Sequence, residues 1–508
     1  MNTEERERKT LQNVVKVYLV ASIAAALFYF TFLFNTNNIS NPVLYILLVA
    51  AELYIFIQSV GTWYTLLHVD ENKYKNSKYR FLKRKIKEEN SIEGGVGVFI
   101  TVAGEDPAML EQAIQYIKDL EIEHNTYVIN DLKDEKDPRV IAYKKLTKKY
   151  GVNYIKTEGN TQQKAGALNY ALARTSEKYF VNFDVDFFPK KNFLLETLPY
   201  FYDEHLGWVQ TPQIFRDTNN VLAKGSAEAV EAFYDFVMPG KNAFNSALFV
   251  GTNAVFRRTA LESINGYQYH HSEDVFTGYT LHQAGWKSLG IPDRLAYGLS
   301  PDDLASLFKQ GLRWSGGSLE IFLYNSVFNK KLTLDQKFQY FTTFSFYMYG
   351  LVILGMIIFP LSYLLFGLKP LQSGGSSWAL HYIPYFIFQF STIALFASKL
   401  SPSAIIVSMN MFPVYIKGFV NAIRRKHSKW TITNSSKTKG VSLFSNVNLL
   451  YWHFLLVFIS VLALVVGLLN IREPATFAIS AFWVLVNMVL TVIFIYLSLK
   501  ASLNVQSK

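Results

Sequence analysis

Six apolar runs, two near the start of the chain and four near its end, restrict this sequence to folds built around a membrane. The runs at 14–34 and 42–67 are long enough, at ~1.5 Å per helical residue, to cross a hydrocarbon layer of ~30 Å. The first exceeds the ~7–15-residue core of a secretion signal and lacks a small-residue cleavage site after it, so it reads as a retained span. Runs at 338–366, 380–400, 449–469 and 477–499 bring the expected count to six. Between the two groups, residues 95–330 have the mixed composition of a soluble domain. The predicted organisation is two spans in 1–70, an α/β domain in 71–335, two spans in 336–400, an interfacial helix and loop in 401–447, and two spans in 448–508.

The net charge of +11 would point to nucleic acid in a soluble protein. Here much of it flanks the spans, as in "ERERK" and "RRKHSK", and anionic lipid headgroups account for it without nucleic acid. The loops 35–41, 367–378 and 470–475 hold zero, one and one Lys or Arg, whereas 424–440 holds six. The positive-inside rule then sets both termini and the soluble domain in the cytoplasm of a multi-pass plasma-membrane protein. It also keeps 401–423, interrupted by Pro402, Asn410, Pro413, Lys417 and Asn421, flat on the interface, because a seventh span would carry the six charges outside. The absence of cysteine excludes disulfides and thiolate metal sites.

From Val96 onward, β-rich runs such as "VGVFITV", "TYVIND" and "YFVNFDVD" alternate with helical stretches, which predicts a mostly parallel sheet covered by helices. Such sheets bind ligands beyond the carboxyl ends of their strands, where Asp131, Asp184 and Asp186 fall. Asp184 and Asp186, at i and i+2, would point to opposite faces of a regular strand, so joint ligation of Mg2+ or Mn2+ needs the turn at Pro189. An isolated Asp-x-Asp is more often a solvated turn; its place after an apolar strand favours metal.

Lys164 and Gly166 in "QQKAGALNYAL" open a helix whose small residues would let backbone approach a diphosphate, with an ordinary helix start as the alternative. Glu273 and Asp274 precede another helix. They are either caps or, for Asp274, a general base that takes the proton of an attacking hydroxyl. The adjacent His270 and His271 lack ligand spacing. Gly251, Thr252 and Asn253 form a polar turn equally suited to sugar hydroxyls or to turn-making. Gln310, Arg313 and Trp314 recur at i, i+3 and i+4, on one helical face just before the membrane runs resume.

Read in order, "VIND", "KAGALN", "DVD", "QTPQIF", "FVGTNAVFRR", "SED" and "QGLRW" resemble the membrane-embedded processive family-2 glycosyltransferases, the group of cellulose and hyaluronan synthases. The resemblance implies a GT-A-type α/β domain inserted in a transmembrane bundle. It implies that Asp131 meets the nucleotide base, Asp184 and Asp186 hold metal and diphosphate, and Asp274, beside Glu273, is the base. Lys164, Gln310 and Arg313 would engage the nucleotide sugar, and Trp314 would stack on the acceptor beside Gly251, Thr252 and Asn253. "KWTITNSSK" resembles the family's gating loop, with Trp430, Ile432 and Thr433 matching and Lys437 or Lys439 meeting phosphate.

Two positions depart from the family: Asn130 replaces the first Asp of its Asp-Asp pair, and Val250 stands where cellulose synthase has cysteine. Since no soluble domain follows the last span, control by a cyclic dinucleotide is not expected. Length and layout also suit the single-chain synthases of Gram-positive capsules. The implied activity is inverting transfer of a hexose, with UDP-glucose the favoured donor, to a growing polysaccharide that the same bundle carries across the membrane. A hyaluronan-like heteropolymer, a non-processive lipid-linked transferase, and a transporter or scaffold with an inactive domain are the alternatives. Oligomeric state is not encoded in these features.

Overall fold

The computed structural model describes residues 3–69, 74–216, 218, 220–299, 301, 303–325, 329–372, 375–396, 401–426 and 447–506. Its soluble part is built on ten strands: β1 (Val96–Val102), β2 (Asn125–Asn130), β3 (Asn153–Lys156), β4 (Tyr179–Asp184), β5 (Phe187–Pro189), β6 (Leu206–Gln210), β7 (Ile214–Arg216), β8 (Ala254–Arg257), β9 (Lys287–Gly290) and β10 (Ala296–Leu299). Seven of them form one sheet in the order β3-β2-β1-β4-β8-β6-β9. β3, β2, β1 and β4 run parallel, β8 is antiparallel to both β4 and β6, and β9 returns parallel to β6. A small sheet, β5-β10-β7, lies beside the carboxyl end of β4.

The continuous apolar run of β1 is explained by layers on both of its faces. Val98, Ile100 and Val102 enter one core with Leu110, Ile114 and Val128, while Phe99 enters another with Phe180, Trp208 and Phe256. The covering helices Pro107–Lys118 and Pro138–Tyr150 each begin with an Asp cap followed by Pro in the first turn, and the second ends at Gly151 with φ 64°. Parallel pairing of β1, β2 and β4 leaves their carboxyl ends, and the acidic residues there, facing one way.

Five helices are long and apolar enough to cross a membrane among the described residues: Lys16–Leu33, Pro42–Leu66, Leu334–Phe366, Tyr451–Leu469 and Pro474–Ala501. The stretch expected at 380–400 forms most of the helix Gly375–Phe396, which packs along Thr3–Leu33, and it continues into 397–400, outside the described residues. The single interfacial helix expected at 401–423 is instead two, Pro402–Asn410 and Phe412–Ile423, bent by 40° at Met411. Neither lies free on a surface. Phe412–Ile423 packs along Leu304–Tyr324, with Gly418 against Ser315, and Pro402–Asn410 packs on Val221–Ala232, where a Cβ on Gly225 would stand 2.5 Å from the Ser403 carbonyl oxygen.

Candidate active site

One cleft of about 1190 Å³, mouth included, opens beyond the carboxyl ends of β1, β2 and β4. Asp131, Lys164, Asp184, Asp186, Gly251, Glu273, Asp274, Gln310, Arg313 and Trp314 all line it. They come from segments up to 183 residues apart in sequence, from Asp131 to Trp314, and the fold alone unites them. Trp430, Ile432, Thr433, Lys437 and Lys439 lie outside the described residues.

Asp131 follows β2 directly. Its N–H donates to the Val102 carbonyl at 2.8 Å, and its Oδ1 accepts from Thr157 Oγ1 at 2.5 Å and Asn160 Nδ2 at 2.8 Å. The preceding Asn130 is fully buried: Oδ1 accepts from the Leu132 N–H at 2.9 Å while Nδ2 donates to Tyr154 Oη at 2.8 Å. Both bonds fix Asn130 in the turn that holds Asp131, and Asn130 does not line the cleft.

Lys164 stands on the first turn of Gln163–Leu172, and its ammonium bridges Asp184 Oδ1 and the Gly251 carbonyl, the latter at 2.9 Å. Burial disfavours that charge, but Asp184, Glu273 and Asp274 more than offset it and hold the ammonium above its ordinary range. Gly166 has a different purpose from the diphosphate approach anticipated for it. A Cβ there would collide with Asn160, so the glycine admits the loop that orients Asp131.

Asp184 closes β4, with its N–H donating to Thr252 Oγ1 at 3.0 Å, and the chain then turns into β5 at Phe187. The turn lets Asp186 share the cleft with Asp184. Burial, reinforced by the Asp184 and Glu105 charges, raises the Asp186 carboxyl. Among the described residues no group of three or more His, Cys, Asp or Glu is arranged to hold a metal alone. Two neighbouring carboxylates in an open cleft nevertheless fit a hard divalent ion that takes its remaining oxygens from a diphosphate and water.

Glu273 and Asp274 form the first turn of the helix Glu273–Gln283 and do not precede it. Asp274 Oδ1 accepts from the Val275 N–H at 2.8 Å. Burial raises both carboxyls. For Glu273 the adjacent Asp274 adds to the rise, and Arg313 and Lys164 pull both back only in part. Gly251, at φ 93°, packs against this side chain: a Cβ on it would stand 3.0 Å from Asp274 Oδ2. Thr252 and Asn253 are fully buried behind the cleft wall, where Thr252 steadies Asp184 and Asn253, at φ 58°, makes the turn.

Gln310, Arg313 and Trp314 lie on Leu304–Tyr324, capped by Asp303, whose Oδ1 accepts from the Ser306 N–H at 2.9 Å. Glu105 and Gln213 also line the cleft, though the sequence reading gave neither a role. Glu105 follows β1, and its Oε2 accepts from the N–H groups of Ala103 at 2.6 Å and Gly104 at 3.0 Å. The strand-end rule applied to "VAGED" would have found it. Gln213, inside the "QTPQIF" run, donates to the Val250 carbonyl at 2.6 Å.

Residues 180–396 match the family described as glycosyl transferase family group 2. The chain is 30% identical over 259 residues to the cellulose synthase catalytic subunit (UDP-forming) of Pseudomonas fluorescens, covering 49% of this chain and 35% of that protein. It is 41% identical over 167 residues to a UDP-forming cellulose synthase catalytic subunit of Dictyostelium discoideum, covering 31% and 16%. The chain thus spans about a third or less of the length of these relatives. Among solved structures it is similar to the mannosyltransferase PcManGT from Pyrobaculum calidifontis, at 15% identity and a TM-score of 0.48, over 73% of this chain and all of that one. The chain is therefore similar to the glycosyl transferase family group 2 over residues 180–396 and to cellulose synthase catalytic subunits over part of their length.

Proposed function

We propose that this protein is a processive polysaccharide synthase that transfers hexose, with glucose the favoured sugar, from a UDP-sugar to a growing chain with inversion at the anomeric carbon. The observation that carries this reading is the single cleft in which Asp184 and Asp186 face Asp274 and the Gln310–Trp314 helix face. The relatives named UDP-forming support UDP as the leaving group. In this reading Asp274 accepts the proton of the attacking hydroxyl and Arg313 and Lys164 face the departing diphosphate, while Trp314 stacks under the acceptor sugar. Asp184 and Asp186 would hold Mg2+ or Mn2+, which supplies Lewis-acid stabilisation of the diphosphate charge. The domain divisions at 70, 335, 400 and 447, the cytoplasmic face of the transferase domain, the plasma membrane as its site, and passage of the polymer through the helices belong to the same proposal.

The test is purified protein in detergent or lipid with single UDP-sugars and either metal, followed by product sizing and linkage determination. High-molecular-weight polymer from UDP-glucose is expected. No polymer from any sugar or pair of sugars would refute the synthase reading.

A further inference from the structure

Two elements that carry the cleft chemistry meet again outside it. Leu304–Tyr324, which presents Gln310, Arg313 and Trp314, runs on past the cleft and crosses the segment 270–272 that leads into the helix Glu273–Gln283. Gly317 permits the crossing, because a Cβ on it would collide with Ser272 Oγ and stand 2.9 Å from Ser272 Cβ. Gln310, Arg313, Gly317 and Glu320 follow one another at i, i+3, i+7 and i+10, a single stripe of the helix. At the far end of that stripe Glu320 Oε2 lies 3.7 Å from His270 Nε2. Both side chains are largely enclosed, His270 at 11% and Glu320 at 17% exposure, and neither lines the cleft.

The geometry fixes the state of the imidazole. A backbone N–H can only donate, so the bond from the Ser272 N–H at 3.1 Å makes His270 Nδ1 an acceptor. The ring proton of the neutral form then sits on Nε2, the nitrogen that faces Glu320. Phe276, with its ring centroid 4.9 Å away, backs the imidazole in this orientation. One side chain thus ties Ser272, directly before Glu273 and Asp274, to the helix of Arg313 and Trp314. Tyr279 and Ile321 also enter a shared apolar core, but apolar burial is non-directional and does not set register. Register matters here because an acceptor stacked on Trp314 must present its hydroxyl to Asp274, and a shift of ~1 Å between such groups can cost ~100-fold in rate. Leu304–Tyr324 is held from another side by Phe412–Ile423, so loosening the His270 contact should displace Asp274 more than the donor groups Gln310 and Arg313.

Resting on the transferase reading above, we propose that His270 and Glu320 are positioning residues that hold Asp274 in register with Trp314. The test uses the full chain in lipid with UDP-glucose, or whichever UDP-sugar wild type turns over. Initial rates and melting temperatures are measured for wild type, His270→Asn, Glu320→Leu, the double variant and Glu320→Gln. Asn keeps an oxygen for the Ser272 N–H but is too short to reach Glu320. Each of the first two single variants should lower kcat by ~10-fold while KM for the UDP-sugar moves less than ~2-fold. The double variant should be no worse than the poorer single, as expected of two residues acting through one contact. Glu320→Gln, which keeps an acceptor oxygen, should recover most of kcat. Losses that multiply in the double variant would overturn the proposal, as would a Glu320→Gln defect equal to that of Glu320→Leu. If Glu320→Leu does not fold, His270→Asn decides alone, and wild-type kcat there overturns the proposal. No transfer by wild type from any UDP-sugar would defeat the transferase reading and with it the catalytic consequence of the pair. The contact itself would then stand or fall on whether the melting-temperature changes of the two singles fail to add in the double.

Discussion

At the scale of single residues, the cleft holds two adjacent half-buried carboxyls, Glu273 and Asp274. Burial raises Asp274, and Arg313 and Lys164 lower it only in part. A base with a raised pKa loses its function as pH falls through that higher value, so the acid limb of the activity profile should lie above the ordinary carboxylate range near pH ~4. The same shift has a stability sign. A carboxyl whose folded pKa exceeds its unfolded value costs stability once pH rises past the unfolded value, because the folded state then holds the charge less readily. Asp274→Asn should therefore abolish transfer yet raise the melting temperature at neutral pH; a lowered melting temperature would show that Arg313 and Lys164 dominate instead. Gly251→Ala tests the neighbouring contact. At φ 93°, with its Cβ 3.0 Å from Asp274 Oδ2, alanine would add strain of about 1–3 kcal/mol and displace the base. A fall of ~10-fold or more in turnover with little change in UDP affinity is expected, measured by initial rates and UDP titration.

At the scale of elements, Leu304–Tyr324 carries the Gln310, Arg313 and Trp314 face, and its position depends on a close crossing with Phe412–Ile423. Gly418 permits that crossing, since any Cβ on it would strike Ser315. Gly418→Val should push the helices apart and misplace Arg313 and Trp314, costing ~10- to 100-fold in transfer while size-exclusion behaviour and the melting temperature stay near wild type. Unchanged transfer would mean that the crossing does not position the site. This dependence was not legible in the sequence. Residues 401–423 show apolar composition broken by Pro402 and Pro413, which marks a bend but does not reveal what the bend embraces. The strand ends were legible, because a buried parallel strand followed by an acidic residue is a local pattern: Asp131 and Asp184 follow from it, as Glu105 would have. Thr252, left open between a sugar and a turn role, was less legible, since its partner Asp184 is brought to it only by tertiary packing.

At the scale of the whole molecule, hydropathy alone foretold a soluble domain between membrane helices, but not how the two are joined. The joint is a buried polar node. Lys241, 2% exposed in the short helix Met238–Lys241, donates to Gln339 Oε1 at 2.8 Å and Thr343 Oγ1 at 2.9 Å on Leu334–Ser345, and Gln339 Nε2 donates to Thr65 Oγ1 at 2.8 Å on Pro42–Leu66. One lysine thus ties the transferase domain to helices on both sides of it in the chain. Burial pulls its ammonium down to about 7, against about 10.4 in an unfolded chain. A cation with a depressed folded pKa costs stability at neutral pH, and the cost disappears as pH rises through the interval between those two values. The wild-type melting temperature should climb between pH 7 and pH ~10 more steeply than that of Lys241→Met, whose side chain fills the same space without titrating. Parallel melting curves for the two proteins across that interval would show that Lys241 keeps an ordinary pKa and that the node is hydrated. A steeper wild-type curve would establish that Lys241 is desolvated at the joint and that its charge costs stability there.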